Sequence, residues 1–145
     1  MDDSNNNLSF RKVIKTDEIL LFDWTNDPDV RRWSTNKKSI TLDEHKVWFN
    51  QKINNENVFM WIFEDDKSPV GIVRLEKNNS EFILNYQIES KVRRKGLASQ
   101  MLIIAMIKLR SLLLNASVLG YKFHENISSI KSMEKRGLFC RLIVT

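Results

Sequence analysis

The stretch that decides the fold reads RRKGLA, Arg93-Arg-Lys-Gly-Leu-Ala98, and it lies between a predicted strand and a predicted helix. Alternating apolar residues over 82–88 predict the strand, and good helix formers over 97–113 predict the helix. The free amides of the first helical turn then point into a basic loop, where Gly96 permits a positive φ and a close backbone approach. A pyrophosphate would fit this cradle. The simpler alternative is a solvated basic loop, because runs of charge usually face water.

Outward from this stretch, the sequence divides into a polar tail and ten predicted elements. Ahead of it lie a disordered tail over 1–7, a strand over 8–14 and a helix over 17–24 with Thr16 as N-cap. A second helix starts at the capping box of Thr41 and Glu44 and runs to about residue 53. Two strands follow, over 58–63 and 70–75. Beyond it lie a strand over 116–121, a helix over 126–136 and a strand over 138–144. The order β-α-α-β-β-β-α-β-α-β predicts one α+β domain over 8–145, with a mixed, mostly antiparallel sheet flanked by helices.

Composition excludes several classes of protein. With 42% hydrophobic and 28% charged residues, the 145-residue chain has enough apolar surface for one core, unlike a disordered chain or a coiled coil. The net charge of +5 is small, and no aromatic residues interleave with the basic cluster over 91–95, so nucleic acid is not an expected partner. One cysteine, Cys140, and two histidines leave no zinc cluster, so no metal is expected. The longest apolar run, 101–107, is too short for a membrane span, and the start lacks a signal peptide's apolar region, so we expect a cytoplasmic protein.

The RRKGLA stretch resembles the signature of the GNAT superfamily of acyl-CoA N-acyltransferases, in which Arg or Gln precedes two variable residues, Gly, one variable residue, and Gly or Ala. Arg93, Gly96 and Ala98 fill this pattern. The segment over 126–138 resembles the family's Asn-led helix, which ends in Gly and an apolar or aromatic residue. The order of the elements agrees over nearly the whole chain. The resemblance therefore implies the single-domain GNAT fold.

The same resemblance implies a site for acetyl-CoA. Backbone groups around Tyr86 to Ile88 would pair with its pantetheine, and the amides over 95–99 would hold its pyrophosphate. The implied cofactor-binding residues are Tyr86, Ile88, Arg93, Arg94, Lys95, Gly96, Leu97, Ala98, Ser99, Asn126 and Ser129. Asn126 also fits a simple helix N-cap.

The N-terminal third resembles two branches of the family. Residues 23–31 and 40–49 are similar to the UDP-amino-sugar N-acetyltransferases of the pseudaminic acid pathway and to the ribosomal-protein N-terminal acetyltransferases. This resemblance implies that Arg31 pairs with a diphosphate and that Trp24 or Trp33 stacks on a sugar or base. It also implies that His45 reaches a hydroxyl of the acceptor. Helical spacing leaves a structural alternative, in which Trp24, Trp48 and Phe49 are core residues and His45 is buried and hydrogen-bonded.

Direct attack of an amine on a thioester needs a neutral amine, donors for the developing oxyanion and an outlet for the thiolate. The resemblance places the amide of Ile88 at the oxyanion, where the fourth strand diverges from the fifth. Glu89 is the carboxylate nearest the basic loop and is the first candidate base, with Glu81 at the other end of the strand. The alternatives left open are an ion pair of Glu89 with Lys91 or Arg93, and a water relay through Asn85 or Gln87.

Met133 departs from the family pattern. It stands seven residues after Asn126, where the family has a Tyr acid, and methionine cannot donate a proton. Ser129, Ser132 or water would then protonate the thiolate, unless the thiolate leaves unassisted. The departure also keeps a non-catalytic acyl-CoA-binding module as an alternative to an enzyme.

The sequence thus predicts an N-acetyltransferase that moves the acetyl group of acetyl-CoA to a small primary amine, that of a nucleotide-linked amino sugar. A protein N-terminus is the nearest alternative acceptor. The predicted elements end with one strand where the family usually adds another. A sheet edge is then left for a homodimer.

Overall fold

The computed structural model describes residues 8–34, 36–92, 96–113, 117–122 and 140–144. These residues form six strands, four α-helices and two short 3-10 turns, at Lys15–Asp17 and Ser90–Val92. In chain order the strands and helices are β1 (Leu8–Lys12), α1 (Glu18–Thr25), α2 (Pro28–Trp33), α3 (Leu42–Ile53), β2 (Val58–Asp65), β3 (Ser68–Asn78), β4 (Glu81–Ile88), α4 (Leu97–Leu112), β5 (Ser117–Lys122) and β6 (Cys140–Val144).

All six strands form one sheet whose spatial order follows the chain order. Neighbours from β1 to β4 are antiparallel, whereas β4 with β5 and β5 with β6 are parallel pairs. An antiparallel pair needs only a tight turn, as at Asp66 and Lys67, where both residues have positive φ. A parallel pair needs a crossover, and α4 lies in the one between β4 and β5. The predicted α+β architecture with a mixed, mostly antiparallel sheet is confirmed.

Side chains that alternate along the strands give the sheet two faces, each covered by different helices. One face packs against the apolar stripe of α4, formed by Met101, Leu102, Ala105, Met106 and Leu109. This stripe is the one predicted from the sequence. The other face packs against α1 and α3, where Met60, Ile62 and Ile72 of the sheet meet Leu21, Trp24 and Phe49 of the helices. Strand β3 is therefore covered on both sides.

The start of α1 differs from the prediction. A 3-10 turn precedes the helix, so Thr16 lies inside that turn and is not an N-cap. Asp17 provides the physical reason. Its carboxylate accepts two hydrogen bonds from Arg11, at 2.8 and 3.0 Å, and one from the amide of Ile14, at 2.8 Å. This ion pair to β1 determines the backbone where the sequence suggested a simple cap.

The short helix α2 was missed by the sequence analysis. The prediction that α1 stops before Pro28 is confirmed, but Asp27 then caps a new helix by accepting from the amide of Asp29 at 2.8 Å. Three helices rather than two thus lie between β1 and β2. The capping box of Thr41 and Glu44 at the start of α3 is confirmed, with bonds of 3.2 and 2.8 Å.

Two predicted segments, the tail over 1–7 and the helix over 126–136, lie outside the described residues. The strand predicted over 138–144 is present as β6 from Cys140. In the part of the chain that the structure describes, no helix is both long enough and apolar enough to cross a membrane.

Candidate functional site

Strands β4 and β5 diverge halfway along β4. Among the described residues, their pairing ends with Leu84 opposite Gly120. Strand β5 continues beyond that point, because it pairs with β6 as far as Lys122. The second half of β4, from Asn85 to Ile88, therefore keeps β3 as its neighbour and departs from β5. A divergence was expected around Ile88, and it begins already at Asn85.

Backbone groups of β4 alternate between its two edges. The amide of Glu89 donates to the carbonyl oxygen of Val70 at 2.8 Å, which sets the phase of this alternation. The amides and carbonyls of Tyr86 and Ile88 consequently face the β5 side. The two residues expected to pair with pantetheine thus lie where β4 departs from β5.

Helix α4 begins directly after Gly96, which occupies the N-cap position with a φ of +74°. Gly96 has no side chain with which to cap the helix, and the first turn that follows it contains no acidic residue. A β-carbon built on Gly96 meets no heavy atom of the described residues within 4 Å. The helix start thus offers N–H groups and partial positive charge beside open space. Of the expected cofactor-binding residues, Gly96, Leu97, Ala98 and Ser99 form this start, whereas Arg93, Arg94, Lys95, Asn126 and Ser129 lie outside the described part of the chain, as does Met133.

Glu89 follows β4 and caps the 3-10 turn after it. Its Oε2 accepts from the Ser90 hydroxyl at 3.1 Å and from the backbone amide of Lys91 at 3.3 Å. The contact with Lys91 is therefore to the backbone, not the ion pair considered from the sequence, and Arg93 lies outside the described residues. Glu81 lies at the opposite end of β4. Glu89 is the carboxylate at the diverging end of the strand.

Arg31 uses its guanidinium to hold the segment between α2 and α3. Its Nε donates to Thr25 O at 2.8 Å, its Nη1 to Asn36 O at 2.7 Å and Lys38 O at 3.2 Å, and its Nη2 to Ser34 Oγ at 3.2 Å. Burial lowers the pKa of Arg31 from its ordinary value. All three nitrogens are occupied, so this placement favours a role in fixing the segment over the expected pairing with a diphosphate.

Trp24 and His45 lie in the core. Trp24 is 8% exposed and packs among the apolar side chains between the helices and the sheet. His45 is 3% exposed, its Nε2 lies 2.9 Å from the carbonyl oxygen of Glu18, and its ring stacks on Trp48 at 5.6 Å. These placements favour the structural alternative over the expected acceptor contacts. The side chain of Trp33, the other expected stacking residue, lies outside the described part of the chain.

Three ionised side chains that the sequence analysis did not single out meet between α3 and β3. Glu76 accepts from Lys52 Nζ at 2.7 Å and from Arg74 Nε at 2.5 Å. The guanidinium carbon of Arg74 lies 5.1 Å from the ring centroid of Trp48. Burial alone would raise the pKa of Glu76, but hydrogen bonds and charge from Lys52 and Arg74 hold it below its ordinary value. The signal in the sequence was the alternation of these two charges with apolar neighbours along β3.

Asn85 and Gln87 extend this polar face onto β4. Asn85 lies opposite Arg74 in register, and Gln87 lies opposite Ile72. Cross-strand partners share a face, so both amide side chains lie on the side of the sheet that α3 covers. Both are partly buried, and neither makes a side-chain hydrogen bond within the described residues. The side of β4 opposite α4 thus carries polar groups where the strand departs from β5.

A protein-family model described as an acetyltransferase (GNAT) domain matches residues 7–138. Among solved structures, the spermidine N-acetyltransferase of Vibrio cholerae in complex with CoA and spermine is similar with a TM-score of 0.76, at 20% identity over 92% of this chain and 81% of that chain. An N-acetyltransferase of Staphylococcus aureus Mu50 is similar with a TM-score of 0.71, at 22% identity over 91% of this chain and 83% of that chain. A search among curated protein sequences finds no significant match. At these identities the two structures share the fold of this chain.

Proposed function

Because the chain belongs to the GNAT acetyltransferase family, we propose that it acetylates the primary amine of a nucleotide-linked amino sugar. The family assignment makes it an acetyl-CoA-dependent N-acetyltransferase. The observation that carries the acetyl-transfer function is the divergence of β4 from β5 close in the chain to the start of α4. We place an extended ligand where β4 no longer pairs with β5 among the described residues, and an anion at the partial positive charge of the helix start.

These two features suit the two ends of acetyl-CoA. We assign the pyrophosphate to the amides of Gly96 to Ser99, because the N–H groups and the partial positive charge at the start of a helix favour an anion. The left-handed backbone of Gly96 and the open space beside it fit this role. Arg93 to Lys95 would add positive charge, and we keep Asn126 and Ser129 as proposed contacts. The pantetheine is assigned to the backbone of Tyr86 to Ile88.

Bound acetyl-CoA supplies an acetyl group activated as a thioester. A neutral amine attacks the carbonyl carbon, the carbon–sulfur bond breaks, and the nitrogen loses a proton. The CoA thiolate leaves and takes up a proton from Ser129, Ser132 or water. We assign to the amide of Ile88 a hydrogen bond to the carbonyl oxygen as negative charge develops there. Glu89 takes the proton, directly or through a water held by Asn85 or Gln87.

The choice of a nucleotide-linked amino sugar rests on the resemblance of residues 23–31 and 40–49 to enzymes with such acceptors. Arg31 and His45 have structural partners, so acceptor recognition is proposed to involve the polar face of β3 and β4 instead. Spermidine is a second candidate acceptor, because it is the substrate named for the similar Vibrio cholerae enzyme. A protein N-terminus is the third, from the resemblance to ribosomal-protein acetyltransferases.

An acetylation assay with a panel of amines tests the proposal. The panel contains a UDP-linked amino sugar, the same amino sugar without its nucleotide, spermidine, and peptides with free N-termini. Both the released CoA thiol and the acetylated product are measured, with an acceptor-free reaction as the control for thioester hydrolysis. We expect the highest kcat/KM for the UDP-linked amino sugar. A higher value for spermidine or a peptide would replace the proposed acceptor, and no turnover of any amine would contradict the proposal.

Two expectations about the whole protein stay predictions. One is a cytoplasmic location. The other is a homodimer through an edge of the sheet, because a strand with only one neighbour among the described strands favours pairing with a further strand. Light scattering of the purified protein measures the mass that distinguishes a monomer from this dimer.

A further inference from the structure

The cluster between α3 and β3 carries more positive than negative charge. Lys52 and Arg74 are cations, and both bond to the single carboxylate of Glu76. The three side chains are only 23 to 24% exposed, so solvent screens the excess charge incompletely. Burial lowers the pKa of Arg74, and Glu76 only partly opposes that effect. The cluster is therefore electrostatically suited to a second anion.

Arg74 has donors left for that anion. Its Nε is bonded to Glu76, whereas its Nη1 and Nη2 have no hydrogen-bond partner among the described residues. The ring of Trp48 lies against the guanidinium and limits its movement. A guanidinium held in this way presents two parallel N–H groups, which match a pair of oxygens on a phosphate or a carboxylate.

Arg74 also lies at a useful distance from the expected reaction centre. Its cross-strand partner is Asn85, the first residue of β4 beyond the pairing with β5. Ile88 lies three positions after Asn85, which is roughly 10 Å along a strand. If the amine of an acceptor lies near Ile88, another group of the same acceptor can reach Arg74. Arg74 lies on the face of the sheet that α4 does not cover.

We propose that Arg74 determines which acceptors the enzyme accepts, by binding a negatively charged group of the amine substrate through Nη1 and Nη2. The inference rests on the proposed N-acetyltransferase function. An amine that carries a phosphate or a carboxylate completes the charge balance of the cluster. A polyamine brings a further cation to Lys52 and Arg74 and is repelled. The site selects anionic amines and disfavours spermidine.

Kinetics of Arg74→Gln and Arg74→Lys test this inference, with Lys46→Gln as a control that removes one exposed positive charge from α3. Four acceptors are compared, namely a UDP-linked amino sugar, a peptide with Asp after its N-terminus, the uncharged amino sugar with no nucleotide, and spermidine. We expect Arg74→Gln to raise the KM of an anionic acceptor roughly 10- to 100-fold, the size of a charged hydrogen-bond pair. In the Arg74 variants, the KM values of acetyl-CoA and of the amino sugar without a nucleotide should change less than about threefold. In Lys46→Gln, the KM values of acetyl-CoA and of all four acceptors should change less than about threefold.

The preferred anionic acceptor identifies the bound group as a phosphate or a carboxylate. Arg74→Lys keeps the positive charge but loses the two parallel N–H groups. Its KM for an anionic acceptor should therefore lie between those of the wild type and of Arg74→Gln. If Arg74→Gln does not fold, the KM of Arg74→Lys tests the inference. Equal effects of Arg74→Gln on all acceptors, or a wild type that prefers spermidine, would overturn the inference and leave acetyl transfer intact.

A binding measurement separates this inference from the proposed function. Calorimetry measures UDP binding to protein already saturated with CoA, so that the cofactor site is filled. We expect wild-type and Lys46→Gln protein to bind UDP at least tenfold more tightly than Arg74→Gln. The Arg74 site stands on this result even if no amine is acetylated, and equal UDP affinity in all three proteins, together with equal kinetics, overturns it.

Discussion

A β-carbon added to Gly71 would lie 2.7 Å from Met101 Cε and 2.7 Å from the backbone oxygen of Gln87. Gly71 on β3 is therefore a point where α4 lies directly against the sheet. In register it lies opposite Ile88, at the diverging end of β4. Only a residue without a side chain permits this approach, which sets the position of α4 relative to that end of β4.

Gly71→Ala should destabilise the protein and weaken CoA binding. The added methyl group overlaps a backbone atom that cannot move freely, and overpacking of a core site costs about 1–3 kcal/mol. The displaced α4 then carries its uncapped start away from β4. Urea denaturation measures the first effect and calorimetry with CoA the second. In a Met101→Ala background the same change should cost less stability, because one of the two contacts is gone. Unaltered stability and CoA affinity would show that the close approach is not needed.

Substitutions at Gly96 separate backbone strain from occlusion of the cofactor. The φ of +74° costs an ordinary residue about 1–2 kcal/mol, whereas Asn tolerates it better. No heavy atom of the described residues lies within 4 Å of a Cβ built on Gly96, so we expect a clash with the bound ligand rather than with these residues. We expect Gly96→Val to weaken CoA binding at least tenfold, with Gly96→Asn closer to wild type in thermal stability yet also impaired in binding. If Gly96→Asn and Gly96→Val both bind CoA like the wild type, the pyrophosphate does not lie there.

Glu89→Gln distinguishes a base from a cap. The amide oxygen of Gln still accepts hydrogen bonds from Ser90 and Lys91, so the turn after β4 is retained, but the side chain no longer accepts the amine proton. We expect kcat to fall about 100-fold or more with an unchanged Kd for CoA. Activity within about threefold of wild type would assign the proton to the water relay through Asn85 or Gln87.

The ion pair of Asp17 and Arg11 should make stability depend on pH in the acidic range. Burial alone would raise the pKa of Asp17, but hydrogen bonds from Arg11 and the amide of Ile14 lower it below its ordinary value. A carboxyl group with a lowered folded-state pKa stabilises the fold above its unfolded pKa of about 3.9, and this contribution is lost as the pH falls through the folded-state value.

Asp17→Asn should therefore cost roughly 2 kcal/mol at pH 7, the scale of a charged hydrogen-bond pair, and the difference from wild type should shrink below about pH 4. Urea denaturation at several pH values measures this difference. Glu56→Gln, a change of an exposed residue, serves as the control and should show little effect. A difference between Asp17→Asn and wild type that stays constant down to pH 2 would contradict the ionic origin of the stabilisation.

The sequence by itself determined the elements whose signals are local. The capping box of Thr41 and Glu44, the alternation along β4 and the apolar stripe of α4 all involve residues within a few positions of each other. Gly96 before a helix is likewise a short-range pattern, and the RRKGLA stretch together with the element order indicated the family, whereas the place for a phosphate stays a prediction. Such patterns depend on backbone geometry and periodicity, which neighbouring residues fix.

Only the tertiary structure decided which partners the polar side chains have. Arg31 and His45 looked like acceptor residues because a sequence gives the type of a side chain and not its partners. Asp17 moved the start of α1 through a bond to another strand. Lys52 and Glu76, 24 residues apart, meet because α3 packs on that face of β3. Periodicity predicts which residues share a face of a strand or helix. Which element covers that face is determined by packing between segments that are distant in the chain.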